Sequence, residues 1–107
     1  MRGKNVDGSF QKPFNPFKWG DAFTEGNSWH YTWSVFHDIN GLKNLMGGNL
    51  IMEKMLDSVF VLPPIYDASY YGGVIHEITE MLVGDMGQYA HGNQPIQHAI
   101  YLYNWLE

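Results

Sequence analysis

The stretch from Asn49 to Pro64 constrains the fold more than any other part of the chain. Met52, Met55, Leu56, Val59 and Phe60 recur at three- and four-residue spacings. That spacing makes one apolar stripe on a helix and cannot be laid along one face of a strand. Gly47-Gly48 stops whatever precedes the stripe, Asn49 can cap the helix, and Pro63-Pro64 ends it. Similar punctuation recurs on both sides. Asn27 can cap a short helix running through Trp29 and Trp33, and Asp38 a second over Ile39–Met46. Ile75, Ile78, Met81 and Leu82 mark a fourth helix, closed near Gly84 after a Tyr- and Gly-rich turn at Asp67–Gly73. Asn93 can cap the last helix, with Pro95 in its first turn, where a missing N–H costs nothing. There Ile96, Ala99, Ile100 and Tyr103 form one face while Tyr101, Leu102 and Trp105 cover others. A helix apolar almost all round is expected to be buried on several sides.

No strand pattern, internal repeat or low-complexity tract is visible. The expected class is all-α: about five helices over residues 25–107, forming part of a single, incomplete domain. Residues 1–24 form an irregular, aromatic-rich arm before them. Pro13 and Pro16 punctuate that arm, and Phe10, Phe14, Phe17, Trp19 and Phe23 are too unevenly spaced for a regular element. It is expected to drape over an apolar surface.

Hydrophobic residues make up 45% of the 107, and charged residues only 16%, against about 25% in ordinary soluble domains. That excludes a disordered tail. No apolar run approaches the roughly 18–20 residues that span a bilayer, so no membrane span is expected. A small domain with so few charges leaves apolar surface uncovered, and is expected to pack against more protein. All six Lys and Arg lie within the first 54 residues, whereas residues 55–107 carry six carboxylates and no base. Nothing resembles a basic patch with interleaved aromatics, which argues against nucleic acid as a partner. Without cysteine there is no disulfide or thiolate site. Residues 1–7 are polar and contain no signal peptide, so any export signal lies outside this chain. Met1 reads as an added start, and Leu106-Glu107 as a junction of foreign sequence. A charged Glu107 ending an apolar helix abruptly suggests a cut excerpt.

Aromatic residues reach 16%, many beside Gly, Asn, His or an acid, as in Asn27-Ser28-Trp29-His30-Tyr31 and Gln88-Tyr89-Ala90-His91-Gly92-Asn93. Rings that stack on sugar C–H faces beside polar groups that bind hydroxyls suit a carbohydrate cleft, although large aromatics also fill cores. Glu25 sits among such rings, just before a helix. A carboxyl in an aromatic-walled pocket loses solvation and keeps a proton near neutral pH, as a general acid must. The plainer reading is a carboxylate favoured by the helix N-terminus. His91, Asn93, Gln94 and His98 bring four hydrogen-bonding side chains to one loop–helix junction. They suit sugar hydroxyls or a hard cation such as calcium, or else ordinary capping. Two imidazoles seven residues apart make a poor zinc site. Glu77 and Glu80 read as a solvated helix face, and Met52 and Met55 as core. No phosphate loop or nucleophile elbow is present.

Several blocks, in order, carry a resemblance: Glu25-Gly26-Asn27-Ser28-Trp29-His30-Tyr31-Thr32-Trp33, His37-Asp38, Gly41-Leu42 through Gly47-Gly48, Gly87-Gln88-Tyr89-Ala90-His91-Gly92-Asn93-Gln94-Pro95, His98, and Tyr101-Leu102-Tyr103-Asn104. Over about residues 15–105 the chain resembles the family 92 glycoside hydrolases, calcium-dependent exo-acting α-mannosidases. The resemblance implies a segment of a C-terminal (α/α)6 barrel packed on a β-sandwich domain that is missing here. The parent would hydrolyse terminal α-mannosides of glycans with inversion, in the periplasm or outside the cell. Glu25 maps to the general acid, and His91, Asn93, Gln94 and Pro95 to the sugar-site block. Trp29, His30 and His98 are taken with them as substrate-binding candidates; no calcium ligand is identified.

Two departures qualify this. Many members carry Glu where this chain has Gln94, so an α-1,2 preference does not follow. The family's general base lies in an Asp-rich block beyond the last helix present here. Inversion needs acid and base carboxyls roughly 6.5–9.5 Å apart, so the fragment is expected not to turn over substrate. Uncovered helix faces could also make it self-associate. The alternatives are a stand-alone helical module binding carbohydrate or protein, and a small metal-binding domain.

Overall fold

In a computed structural model the chain is described over residues 1–106. Glu107, on which the expectation of an abrupt charged end rests, lies outside the described residues. The element order is α1 (Ser28–Tyr31), α2 (Ile39–Met46), α3 (Asn49–Val61), a 3-10 turn (Ser69–Tyr71), α4 (His76–Gly84), and 3-10 segments at Gln94–Ile96 and Ala99–Trp105. Among the described residues there is no named strand, only isolated bridges pairing Lys4 with Phe10 and Lys18 with Asp67. The architecture is all-α.

Local chemistry sets these boundaries. The Asp38 carboxylate accepts from the Gly41 N–H at 2.7 Å and starts α2. Gly47, at φ 109°, closes it in a conformation that a side chain would strain. Gly48 takes the cap position of α3, and Asn49, expected as the cap, becomes its first helical residue. The apolar stripe of α3 turns Met52, Leu56 and Val59 into the core, and α2 packs against it. On α4, Ile78 and Met81 do the same, and Asp85 at φ 50° ends the helix.

The last segment differs from expectation. It is not one α-helix but two 3-10 pieces, and its buried positions are Ile96, Ala99 and Leu102. A period of three is the signature of 3-10 geometry, in which residues i and i+3 eclipse. Tyr101 is 65% exposed, so this segment is buried on one side only. The first helix is likewise shorter than expected, and Trp33 lies beyond its end, buried in the core by the following turns.

Residues 1–24 are turns and bends anchored by Trp19, which is fully buried. The Trp19 N–H donates to the Asp67 carbonyl at 2.9 Å, and the Asp67 N–H to the Phe17 carbonyl at 3.0 Å, tying the arm to the segment before α4. The whole is a slab of 41 × 39 × 21 Å. Leu45, Val61 and Val83 are 87%, 78% and 81% exposed, so apolar side chains on α2, α3 and α4 have no cover within this segment.

Candidate active site

Glu25 occupies the tip of the turn between Gly20 and α1. Its backbone is left-handed, with φ 48°, a conformation costing about 1 kcal/mol or more in a residue with a side chain. Neighbouring contacts impose it. The Gly20 N–H donates to the Gly26 carbonyl at 2.9 Å, the Tyr31 hydroxyl donates to the Thr24 carbonyl at 2.5 Å, and Phe23 stacks on Tyr31 at 5.3 Å. From the second loop, the Asn93 side-chain amide donates to the Glu25 carbonyl. The Tyr71 hydroxyl also lies against Glu25; burial pushes this phenol up, the Glu25 backbone opposes the shift, and the charges of Glu25 and Glu77 add to it.

The Glu25 side chain itself is exposed. The closed aromatic pocket expected around it is not built by this segment, because Phe23 and Tyr31 stack beneath the loop and Trp29 leans into the core. Its position beside the second loop is nonetheless defined: Asn93 is buried and reaches back to it, while His91 and Gln94, on either side of Asn93, are exposed. His91 is oriented by Tyr89, whose hydroxyl lies 2.7 Å from its Nδ1. Asn93 therefore joins the Glu25 turn to the loop that carries His91 and Gln94.

His30 is placed differently from its expected role in holding sugar. It is fully buried, edge-on to Trp19 at 4.8 Å. Its Nδ1 accepts the Asn27 backbone N–H at 3.0 Å, so the proton sits on Nε2, which donates to the Gln88 carbonyl at 2.8 Å. Burial pushes the imidazole down to about 4, with the Gln88 carbonyl opposing only in part. With both nitrogens engaged and no exposed edge, His30 cannot meet a hydroxyl. Trp29 is half-buried against the core. His98 gives its Nε2 to the Trp33 carbonyl at 2.7 Å and packs on Phe36 at 4.3 Å, fastening the final segment to the turn after α1.

Two participants were not singled out in the sequence. Gln88, fully buried, accepts from the Asn27 side-chain amide at 3.1 Å and donates to the Pro63 and Ile65 carbonyls, both at 2.8 Å. Its one signal was a polar residue inside the otherwise small and apolar run Gly87–Ala90. His76 lies 3.0 Å from Glu77 and 3.3 Å from Glu80, and a side chain at Gly92 would strike the Glu80 carboxylate. This puts α4 beside the 91–94 loop. Among the described residues, no three His, Cys, Asp or Glu side chains gather as they would to hold a metal ion. A cleft of about 470 Å³ lies elsewhere, between the arm and the 20–23 turn, and is lined by none of the candidate site residues.

In this all-α slab the turn that bears Glu25 is tied through its backbone to a His-Gly-Asn-Gln loop. Residues 1–107 match the pattern described as the glycosyl hydrolase family 92 catalytic domain. The chain belongs to that family, as a segment of its (α/α)6 barrel. Among similar solved structures is the Family GH92 Inverting Mannosidase BT2199 from Bacteroides thetaiotaomicron VPI-5482. It is 58% identical, with a TM-score of 0.70, and the match covers 97% of this chain and 14% of that one. No curated protein matches the chain. The chain thus spans 14% of the solved relative's length.

Proposed function

We propose that this segment supplies the proton-donating half of an inverting exo-α-mannosidase, with Glu25 as general acid. The carrying observation is the bond from Asn93 to the Glu25 carbonyl. It ties the turn that bears the exposed Glu25 side chain to the loop that bears His91 and Gln94, side chains suited to sugar hydroxyls. In inversion the acid protonates the departing glycosidic oxygen while a second carboxylate activates water on the opposite face. Glu25 performs the first of these tasks; the exposed His91 and Gln94 orient the sugar, Asn93 ties their loop to the Glu25 turn, and His30 stays out of contact with the sugar.

The remaining walls of the pocket and the general base belong to the rest of the enzyme. A bound calcium ion would supply a hard Lewis acid for sugar oxygens, and no task of Glu25 passes through it. The isolated 107-residue chain accordingly releases no mannose from α-mannosides. In the full-length enzyme, Glu25→Gln keeps the side chain's shape and removes its proton. It should abolish turnover of a mannobioside, whose leaving alcohol needs protonation, with the protein still folded; near-normal turnover would remove Glu25 from the acid role.

A further inference from the structure

Glu25 is exposed, yet its backbone is left-handed and tied at successive atoms. The Glu25 carbonyl accepts from Asn93, the Gly26 carbonyl from Gly20, and the Asn27 N–H donates to His30 Nδ1 at 3.0 Å. Gly26 is wedged so closely that a Cβ there would lie 3.0 Å from the Tyr31 ring and 3.1 Å from His30 Nδ1. Asn27 and His30 form a capping box with histidine in place of the usual Glu or Gln: the Asn27 side chain accepts the His30 N–H, and the His30 ring accepts the Asn27 N–H. Behind them Gln88 bonds to Asn27, Pro63 and Ile65 through its side chain, and to Val59 and His30 through its backbone. A four-residue helix has little stability of its own. The direction of the Glu25 turn is set by this buried network.

Resting on the reading of Glu25 as the proton donor, we infer that Asn27, His30 and Gln88 are positioning residues for its carboxyl. They aim it through the backbone of residues 25–27, touching neither sugar nor acid. The network joins the turn carrying the acid to the 88–93 run that carries the sugar-binding loop, so both halves of the site share one buried anchor. The His30 ring has the shape for this. Nδ1 accepts and Nε2 donates in opposite directions, bridging Asn27 to Gln88 in a way no apolar side chain can.

The test uses the full-length enzyme and two substrates. A mannobioside needs proton donation to its leaving alcohol, whereas 2,4-dinitrophenyl α-mannoside, with a good leaving group, does not. His30→Leu should lower kcat on the mannobioside by about 100-fold, the scale of a misplaced catalytic group. It should leave KM and dinitrophenyl turnover little changed. His30→Gln, which restores the capping-box acceptor, should recover most of the loss. Asn27→Ser keeps a capping oxygen but removes the amide donor to Gln88, and should show the same substrate-dependent pattern if His30→Leu does not fold. Equal losses on both substrates would mean that the network only stabilises the fold, and would overturn the inference. Glu25→Gln is run in parallel: if it shows no leaving-group dependence, the reading of Glu25 as acid fails; if it does while the network variants do not, only the positioning role fails.

Discussion

Protonating His30 must break the fold locally, and this makes stability depend on pH in a defined window. The ring is fully buried against Trp19 and its Nδ1 already accepts the Asn27 N–H. A proton on Nδ1 would face that N–H and leave a buried positive charge. The folded-state value is about 4, against 6.5 for the free side chain. Between these values the unfolded chain binds the proton and the folded chain does not, so stability falls as pH falls. Above pH 6.5 the contribution is intact; towards pH 4 the loss approaches about 3 kcal/mol, with a slope of up to about 1.4 kcal/mol per pH unit. Asp7 and Asp67 are both held low by bonds to Ser9 and Ser69. They act in the same sense but in a lower window, losing their contribution only as pH drops through and below the ordinary carboxylate value of 3.8. Urea unfolding followed by tryptophan fluorescence at half-unit steps from pH 7.5 to 4.5 reads this directly. His30→Gln, which cannot titrate, should be less stable at neutral pH but lack the slope. A wild-type chain of constant stability across that range, or a parallel slope in the variant, would refute the reasoning.

Gly87→Ala should destabilise the fold by about 2 kcal/mol or more, because φ is 63° and a Cβ would lie 2.6 Å from the Val59 carbonyl oxygen. An unchanged urea midpoint would deny that close approach. Asp38→Ala removes the cap on the Gly41 N–H and should cost about 1 kcal/mol in the same assay. Leu45, Val61 and Val83 stand in water here, so the isolated chain should sediment as larger species at rising concentration; a monomer throughout would contradict this.

The middle of the fold was legible in the sequence because its signals are local. Asp38, Gly47 and Pro63 set boundaries within a few residues of themselves, and the stripe from Met52 to Phe60 fits only a helical period. The last segment was harder, since Ile96 and Ala99 satisfy a period of three and one of 3.6 equally well. Only the burial of Leu102, with Tyr101 outside, separates the two. Asn93 marks the start of that segment as expected, but its amide reaches back to Glu25, 68 residues earlier in the chain. A capping residue looks the same in sequence whichever partner its side chain takes. For the same reason His30 read as a sugar ligand. Its local neighbours are polar and aromatic, and the partners that bury it, Trp19 and Gln88, come from distant segments.

Proton donation by Glu25 is tested most directly by the pH dependence of kcat/KM in the full-length enzyme. A general acid that must be protonated produces the falling limb at high pH, and a base that must be ionised produces the rising limb at low pH. The wild-type enzyme should show the high-pH limb with the mannobioside and lack it with dinitrophenyl α-mannoside, on which Glu25→Gln, still able to turn over, should keep the low-pH limb alone. A high-pH limb that persists in the variant would assign the proton to another group.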